Sequence, residues 1–175
     1  MIIVNQNKGK PYKHSEFILR GAFDVYGDSD WVVIRPLKYR SKILNADIHI
    51  PEGFVTDFAS IPRVVRLAIP VSGRHRYPAV IHDWFYRTLM LLTCERVQTL
   101  IDIGTFSDSR EIADAVFNEA NRVIGVSYWK RRMLHRGVRV GGWVTYNKNI
   151  KLMRKGKLKH SLVDTKNLPS LNRRK

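Results

Sequence analysis

The chain has 175 residues, 44% hydrophobic and 26% charged, with a formal net charge of +16. That length and apolar fraction fit one globular domain with a real core, and no window approaches the ~18 uninterrupted apolar residues of a membrane-spanning helix. The positive balance favours contact with a polyanion, whether nucleic acid, anionic lipid or an acidic partner surface, without choosing among them.

Met1–Gln6 has a short apolar start with no basic region before it and no cleavage site, so it does not read as a signal peptide. Residues 1–60 read as β-rich, a small antiparallel sheet or a pair of hairpins. Gly27-Asp28-Ser29-Asp30 is turn chemistry. The run Trp31–Tyr39 is rich in strand formers, with Pro36 placing it at an edge or a bend. Ala46-Asp47-Ile48-His49-Ile50 alternates strictly and predicts a half-buried strand, ended by Pro51-Glu52-Gly53. In the loop that follows, Thr56, Asp57 and Ser60 offer oxygens either to a metal or to the cap of a short helix after Ser60, where Ile61-Pro62 favours the cap.

The period then becomes helical. Tyr77 to Leu92 predicts a largely buried helix with Pro78 in its first turn and a stripe of Ile81, Phe85, Leu89 and Leu92. Cys94, the one cysteine, excludes internal disulfides and a cysteine-rich zinc site; it reads as a buried structural thiol of a chain folded in a reducing compartment. Asp108 to about Val123 predicts a second helix: Asp108 and Glu111 resemble a capping box, Ile112, Val116, Ala120 and Val123 form the inner stripe, and Gly125 ends it. A third helix begins with Ser127 as N-cap and carries Tyr128, Trp129, Met133, Leu134 and Val138, with Lys130, Arg131, Arg132, Arg136 and Arg139 on its other face. The fold class expected is α+β: a small N-terminal antiparallel sheet followed by a bundle of about three helices.

The domain is expected over residues 1–147, with a basic tail over 148–175 that is extended or ordered by a partner. From Lys148 to Lys175 there are ten Lys or Arg and one acid, Asp164, so the segment holds nine of the sixteen net charges. It lacks the apolar residues to fold alone. Lys151, Arg154, Lys155, Lys157 and Lys159, with the basic face of the third helix, form the expected polyanion-binding surface, for DNA, RNA or an anionic membrane.

Chemistry is densest in Ile81-His82-Asp83-Trp84-Phe85-Tyr86. On a helix His82 and Tyr86 share a face and Asp83 lies about 100° round. A His and an Asp among Ile, Trp and Phe are costly to bury without partners. Asp114, in Ile112-Ala113-Asp114-Ala115-Val116, is also set among small and apolar residues. If the two helices pack antiparallel, Asp114 reaches the His82 imidazole, fixes its tautomer and leaves the other nitrogen free as a base, while Asp83 is placed to hold a divalent cation. The alternative is a buried His–Asp pair that only ties two helices together. His75, seven residues before His82, suggests a phosphohydrolase-like ligand set with His82, Asp83 and Asp114, but its arginine neighbours oppose a metal. His14, His135 and His160 sit in basic, polar surroundings and read as solvated.

Gly53-Phe54-Val55-Thr56-Asp57-Phe58-Ala59-Ser60-Ile61-Pro62, then His82-Asp83-Trp84-Phe85-Tyr86, then Ala113-Asp114 and Phe117, resemble a family of phage and prophage proteins catalogued as domain of unknown function 1353. That resemblance implies a viral setting: synthesis in the host cytoplasm, a place in the virion, and other phage structural proteins as partners. More distantly, the order of loop, His-Asp-x-x-Tyr helix and later Asp resembles secreted phospholipase A2. By position that likeness implies His82 as the base, Asp83 as a calcium ligand, Asp114 orienting the imidazole and Tyr86 supporting Asp114, with Ca2+ held partly by a loop in Phe54–Ser60 that includes Asp57. Two departures stand out. Such enzymes are rich in disulfides, and their calcium loop is rich in glycine, whereas here only Gly53 is available. The readings that follow are a calcium-assisted hydrolase or its inactive relic, and a non-enzymatic virion, tail or assembly component.

Overall fold

A computed structural model describes residues 4–7, 9–27, 30–57, 75–158 and 162–165. It bears out the α+β class, with antiparallel sheets first and helices after them. Two sheets are present where one was expected. Strands β1 (Val4–Gln6), β6 (Ala46–Ile50), β5 (Leu37–Ser41) and β2 (Glu16–Leu19) form one in that order, and β3 (Ala22–Tyr26), β4 (Asp30–Arg35) and β7 (Val55–Thr56) the other.

Pro36 explains the division. A proline has no N–H for a ladder, and it stands between Arg35, the last residue of β4, and Leu37, the first of β5. The strand-forming run Trp31–Tyr39 is therefore cut into two strands that serve different sheets. The strands of the β5–β6 hairpin follow the period of two: Leu37, Tyr39, Ser41, Ala46, Ile48 and Ile50 are buried, while Lys38, Arg40, Asp47 and His49 are not. His49 is one of those outward residues.

Helix α1 (Arg76–Thr88) buries every residue from Pro78 to Tyr86. It is shorter than the expected Tyr77–Leu92 helix. Leu89 turns into the left-handed region (φ 52°), its N–H capping onto the Phe85 carbonyl, and a 3-10 turn over Met90–Thr93 follows. Leu89 stays in the core, but Leu92 swings to the surface. Cys94 is buried, as expected, and precedes a short helix α2 (Glu95–Asp102) that buries Val97 and Leu100 and had no clear signal in the sequence. Helix α3 (Ser109–Val123) starts at the expected cap: the Asp108 side chain accepts from the Glu111 N–H at 2.6 Å, and the Glu111 carboxylate accepts from the Ser107 N–H and hydroxyl. Hydrogen bonds from Ser107 hold the Glu111 carboxyl below its ordinary range.

Helix α4 (Tyr128–Arg154) corrects the reading of the third helix. Ser127 precedes it without a side-chain cap bond, and the buried residues are Leu134, Val138, Gly142 and Tyr146, while Tyr128, Trp129 and Met133 are exposed. The helix also runs through residue 147, the expected boundary, and residues 148–154 form its last turns. Further on, Leu162 bridges Phe54, and the Val163 N–H donates to the Gly53 carbonyl at 2.9 Å. Gly53 (φ +85°) has no room for a Cβ there, because the Val163 carbonyl oxygen occupies the space.

The sheets and helices share one core, in which α1 and α3 pack on β5 and β6. Glu119 of α3 fixes that arrangement. Buried, it accepts from the Ser15 hydroxyl (2.7 Å), the Tyr39 hydroxyl (3.0 Å), the Ser41 hydroxyl (2.7 Å) and the Ile43 N–H (3.1 Å). Burial, and then the charge of Glu119, push the Tyr39 phenol far above its ordinary value. Removing the carboxylate orphans four donors at once, so Glu119→Ala is expected to cost about 3 kcal/mol, read as a fall in the urea midpoint with far-UV circular dichroism unchanged in native buffer.

Candidate functional site

The candidate site lies where α1, α3 and α4 meet. α1 brings His82 and Tyr86 on one face, since residues four apart align. α3 brings Asp114 against them: His82 Nε2 is 2.8 Å from Asp114 Oδ1, and the Tyr86 hydroxyl donates to the same oxygen at 2.7 Å. The other oxygen, Oδ2, receives Arg139 Nη1 from α4 at 3.3 Å and lies 3.7 Å from Arg110 Nη1. Arg110 is itself anchored by donating to the Arg139 carbonyl at 3.0 Å. The Tyr86 ring packs 4.0 Å from the imidazole, centroid to centroid, and Phe117 covers it from 5.1 Å.

Burial alone raises the Asp114 carboxyl, but the hydrogen bond and charge of His82, then Tyr86 and Arg110, outweigh it and hold the group below its ordinary value. Asp114 is therefore an ionised acceptor. Burial and the same carboxylate push the Tyr86 phenol far above its ordinary range, so Tyr86 remains a neutral donor. An ionised carboxylate only accepts, so Nε2 must carry the proton it shares with Asp114, and in the neutral ring the lone pair falls on Nδ1. That atom is buried and has no hydrogen-bond partner among the described residues. His82 as a whole is 1% exposed.

Gly142 of α4 lets this cluster close. A Cβ there would lie 2.6 Å from the Tyr86 hydroxyl and 2.8 Å from its ring, so only glycine allows α4 to approach Tyr86 so closely. Asn149, about two turns further along α4, donates to the Tyr86 carbonyl at 2.9 Å and pins the same two helices.

The two carboxylates expected to bind metal sit differently. Asp83 is buried and receives the Thr56 hydroxyl of β7 at 2.5 Å. Asp57 forms an ion pair with Arg87 at 2.8 Å, and Arg87 also donates to the Val55 carbonyl. Among the described residues no group of three or more His, Cys, Asp or Glu side chains is placed to hold a metal ion, His75 included. Phe58, Ala59 and Ser60 of the expected calcium loop, and the Ser60 cap, lie outside the described residues.

The polyanion-binding residues divide. Lys130, Arg132, Arg136, Lys151, Arg154, Lys155 and Lys157 are exposed, whereas Arg131 and Arg139 are half-buried, and Lys159 lies outside the described residues. Arg139 turns inward to Asp114 rather than outward. Its role was hidden in a run of basic residues; the signal was its position one residue after the buried Val138. His135 is also half-buried rather than solvated, and burial holds its imidazole below the ordinary value. Thr56, read only as a loop oxygen, proves to be the partner of Asp83.

Residues 31–138 match the family model described as "Protein of unknown function (DUF1353)". No curated protein and no solved structure matches the chain.

Because Asp114 titrates below the ordinary carboxyl value of about 3.9, its stabilising contacts are complete above that pH and are lost as pH falls through the lower folded value. Asp114→Asn should therefore cost about 3 kcal/mol at neutral pH. In urea titrations at neutral pH and near pH 2, the gap between wild type and variant should shrink on the acid side.

Proposed function

The chain belongs to the DUF1353 family of proteins of unknown function, and for this member we propose a hydrolase, phospholipase A2-like in outline, in which His82 Nδ1 is the general base. One observation carries the reading: Nε2 is held by an ionised Asp114 while Nδ1 keeps a lone pair with no hydrogen-bond partner among the described residues. A water at Nδ1 would give its proton to the ring as its oxygen attacks an ester carbonyl. Asp114 would stabilise the resulting imidazolium, and the ring would return the proton to the leaving alkoxide. Tyr86 and Arg139 act through Asp114, holding its two oxygens. No step is assigned to Asp83 or Asp57, since both are engaged by donors from the chain itself.

The depth of the imidazole favours a second reading, because a substrate reaches Nδ1 only if the packing around it opens. On that reading the Asp114 contacts serve to clamp α1, α3 and α4, and the chain is a non-enzymatic component of a phage particle or its assembly. Fatty-acid release from mixed neutral and anionic phospholipid vesicles separates the two, measured with added calcium and with chelator. The hydrolase reading expects His82→Ala to lower release by roughly a hundredfold or more, in a variant shown by circular dichroism to be folded. Release equal in wild type and variant under both conditions selects the clamp.

A further inference from the structure

Helix α4 carries a second feature that Asp114 does not explain. Its buried seam, Leu134, Val138, Gly142 and Tyr146, faces the core at steps of four residues. On the opposite side Trp129, Met133, Val140 and Val144, at steps of four, seven and four, lie along one line, and Trp143 stands beside Val140 and Val144. Trp129 is 78% exposed, Val140 81%, Val144 64% and Trp143 60%. Scattered apolar residues on a surface are ordinary, but a row of them along one helix marks a contact face.

The charge around this row is of one sign. The helix has no Asp or Glu, and its charged side chains are all Lys or Arg. Towards its C-terminal end a groove of about 340 Å³ has Trp143, Val144 and Leu152 as its apolar wall and Lys148, Lys151 and Lys155 around it. Lysines bordering an apolar trough can lay their stems along it and keep their ammonium groups at a plane of negative charge.

We propose that the outer face of α4 docks on an anionic lipid surface, with the Trp and Val side chains entering the headgroup–acyl boundary and the lysines and arginines meeting lipid phosphates. An amphipathic helix with aromatic and aliphatic residues on one stripe and cations flanking it is suited to that interface. A nucleic acid would give the cations partners but leave Val140 and Val144 in water. A second copy of this helix would set cations against cations with no acid between them. The helix lies on the surface rather than crossing, since no helix among the described residues is long and apolar enough to span a membrane. This inference stands apart from the hydrolase reading, because Arg139, the one α4 side chain bonded to Asp114 among the described residues, is not part of the proposed face.

The test is sedimentation of the full chain with vesicles of ether-linked phosphatidylcholine, alone or mixed with ether-linked phosphatidylglycerol, in chelator. Ether lipids carry no acyl ester to cleave, so the result does not depend on fatty-acid release. The expected result is binding to the mixed vesicles, little to the neutral ones, and weakening by salt. Val140→Ser/Val144→Ser, two exposed positions where the fold is retained, should bind about tenfold less. Binding by this double variant equal to wild type, or equal binding to neutral vesicles, overturns the proposal. So does tighter retention on duplex DNA than on the mixed vesicles, or a dimer in solution that the double variant abolishes.

Discussion

One carboxylate in a dry interior organises the helical half of this protein. Asp114 has no exposed surface, and an ionised group without water must find donors within the fold. It finds them on α1, in His82 and Tyr86, and on α4, in Arg139, with Arg110 of its own helix close by. Each donor fixes the rotation of the helix that brings it, so the packing of α1, α3 and α4 follows from where those side chains must point. The closeness of α4 to Tyr86 in turn requires the bare Cα of Gly142.

A second buried acid repeats the device on the other side of α3. Glu119 lies five residues after Asp114, about 140° round the helix. There it faces the β5–β6 hairpin and Ser15 instead of the helices. α3 is thus joined to the helices by one carboxylate and to the sheet by another, with Ile112, Val116, Phe117 and Ala120 supplying the apolar contact between. The two differ in what they leave behind. Both Glu119 oxygens receive two donors each, whereas Asp114 holds a histidine whose other nitrogen has no hydrogen-bond partner among the described residues.

How much of this could be read from the sequence depended on how local its cause was. The strict alternation in Ala46–Ile50 gave a strand, and Asp108 with Glu111 gave the start of α3, because each signal lies within a few residues of its effect. The pairing of His82 with Asp114 was legible because both break an apolar stripe, and a buried polar residue needs a partner. Arg139 was not, since a cation in a basic run looks solvated until the opposite carboxylate is placed. The break at Leu89 was missed because a left-handed leucine is set by tertiary packing and has no turn residue to announce it. The inner face of α4 was read only in part for a similar reason: Leu134 and Val138 do lie in the seam, which continues through Gly142 and Tyr146, but Trp129 and Met133, which look like core, are exposed.

The central claim is that Asp114 fixes one tautomer of His82, with Nε2 protonated and Nδ1 bare. Nitrogen-15 NMR of the His82 ring at neutral pH tests it most directly. The account predicts a protonated, pyrrole-type Nε2 and an unprotonated, pyridine-type Nδ1, with the difference collapsing in Asp114→Asn. The opposite tautomer, with the proton on Nδ1 and Nε2 bare, would contradict it.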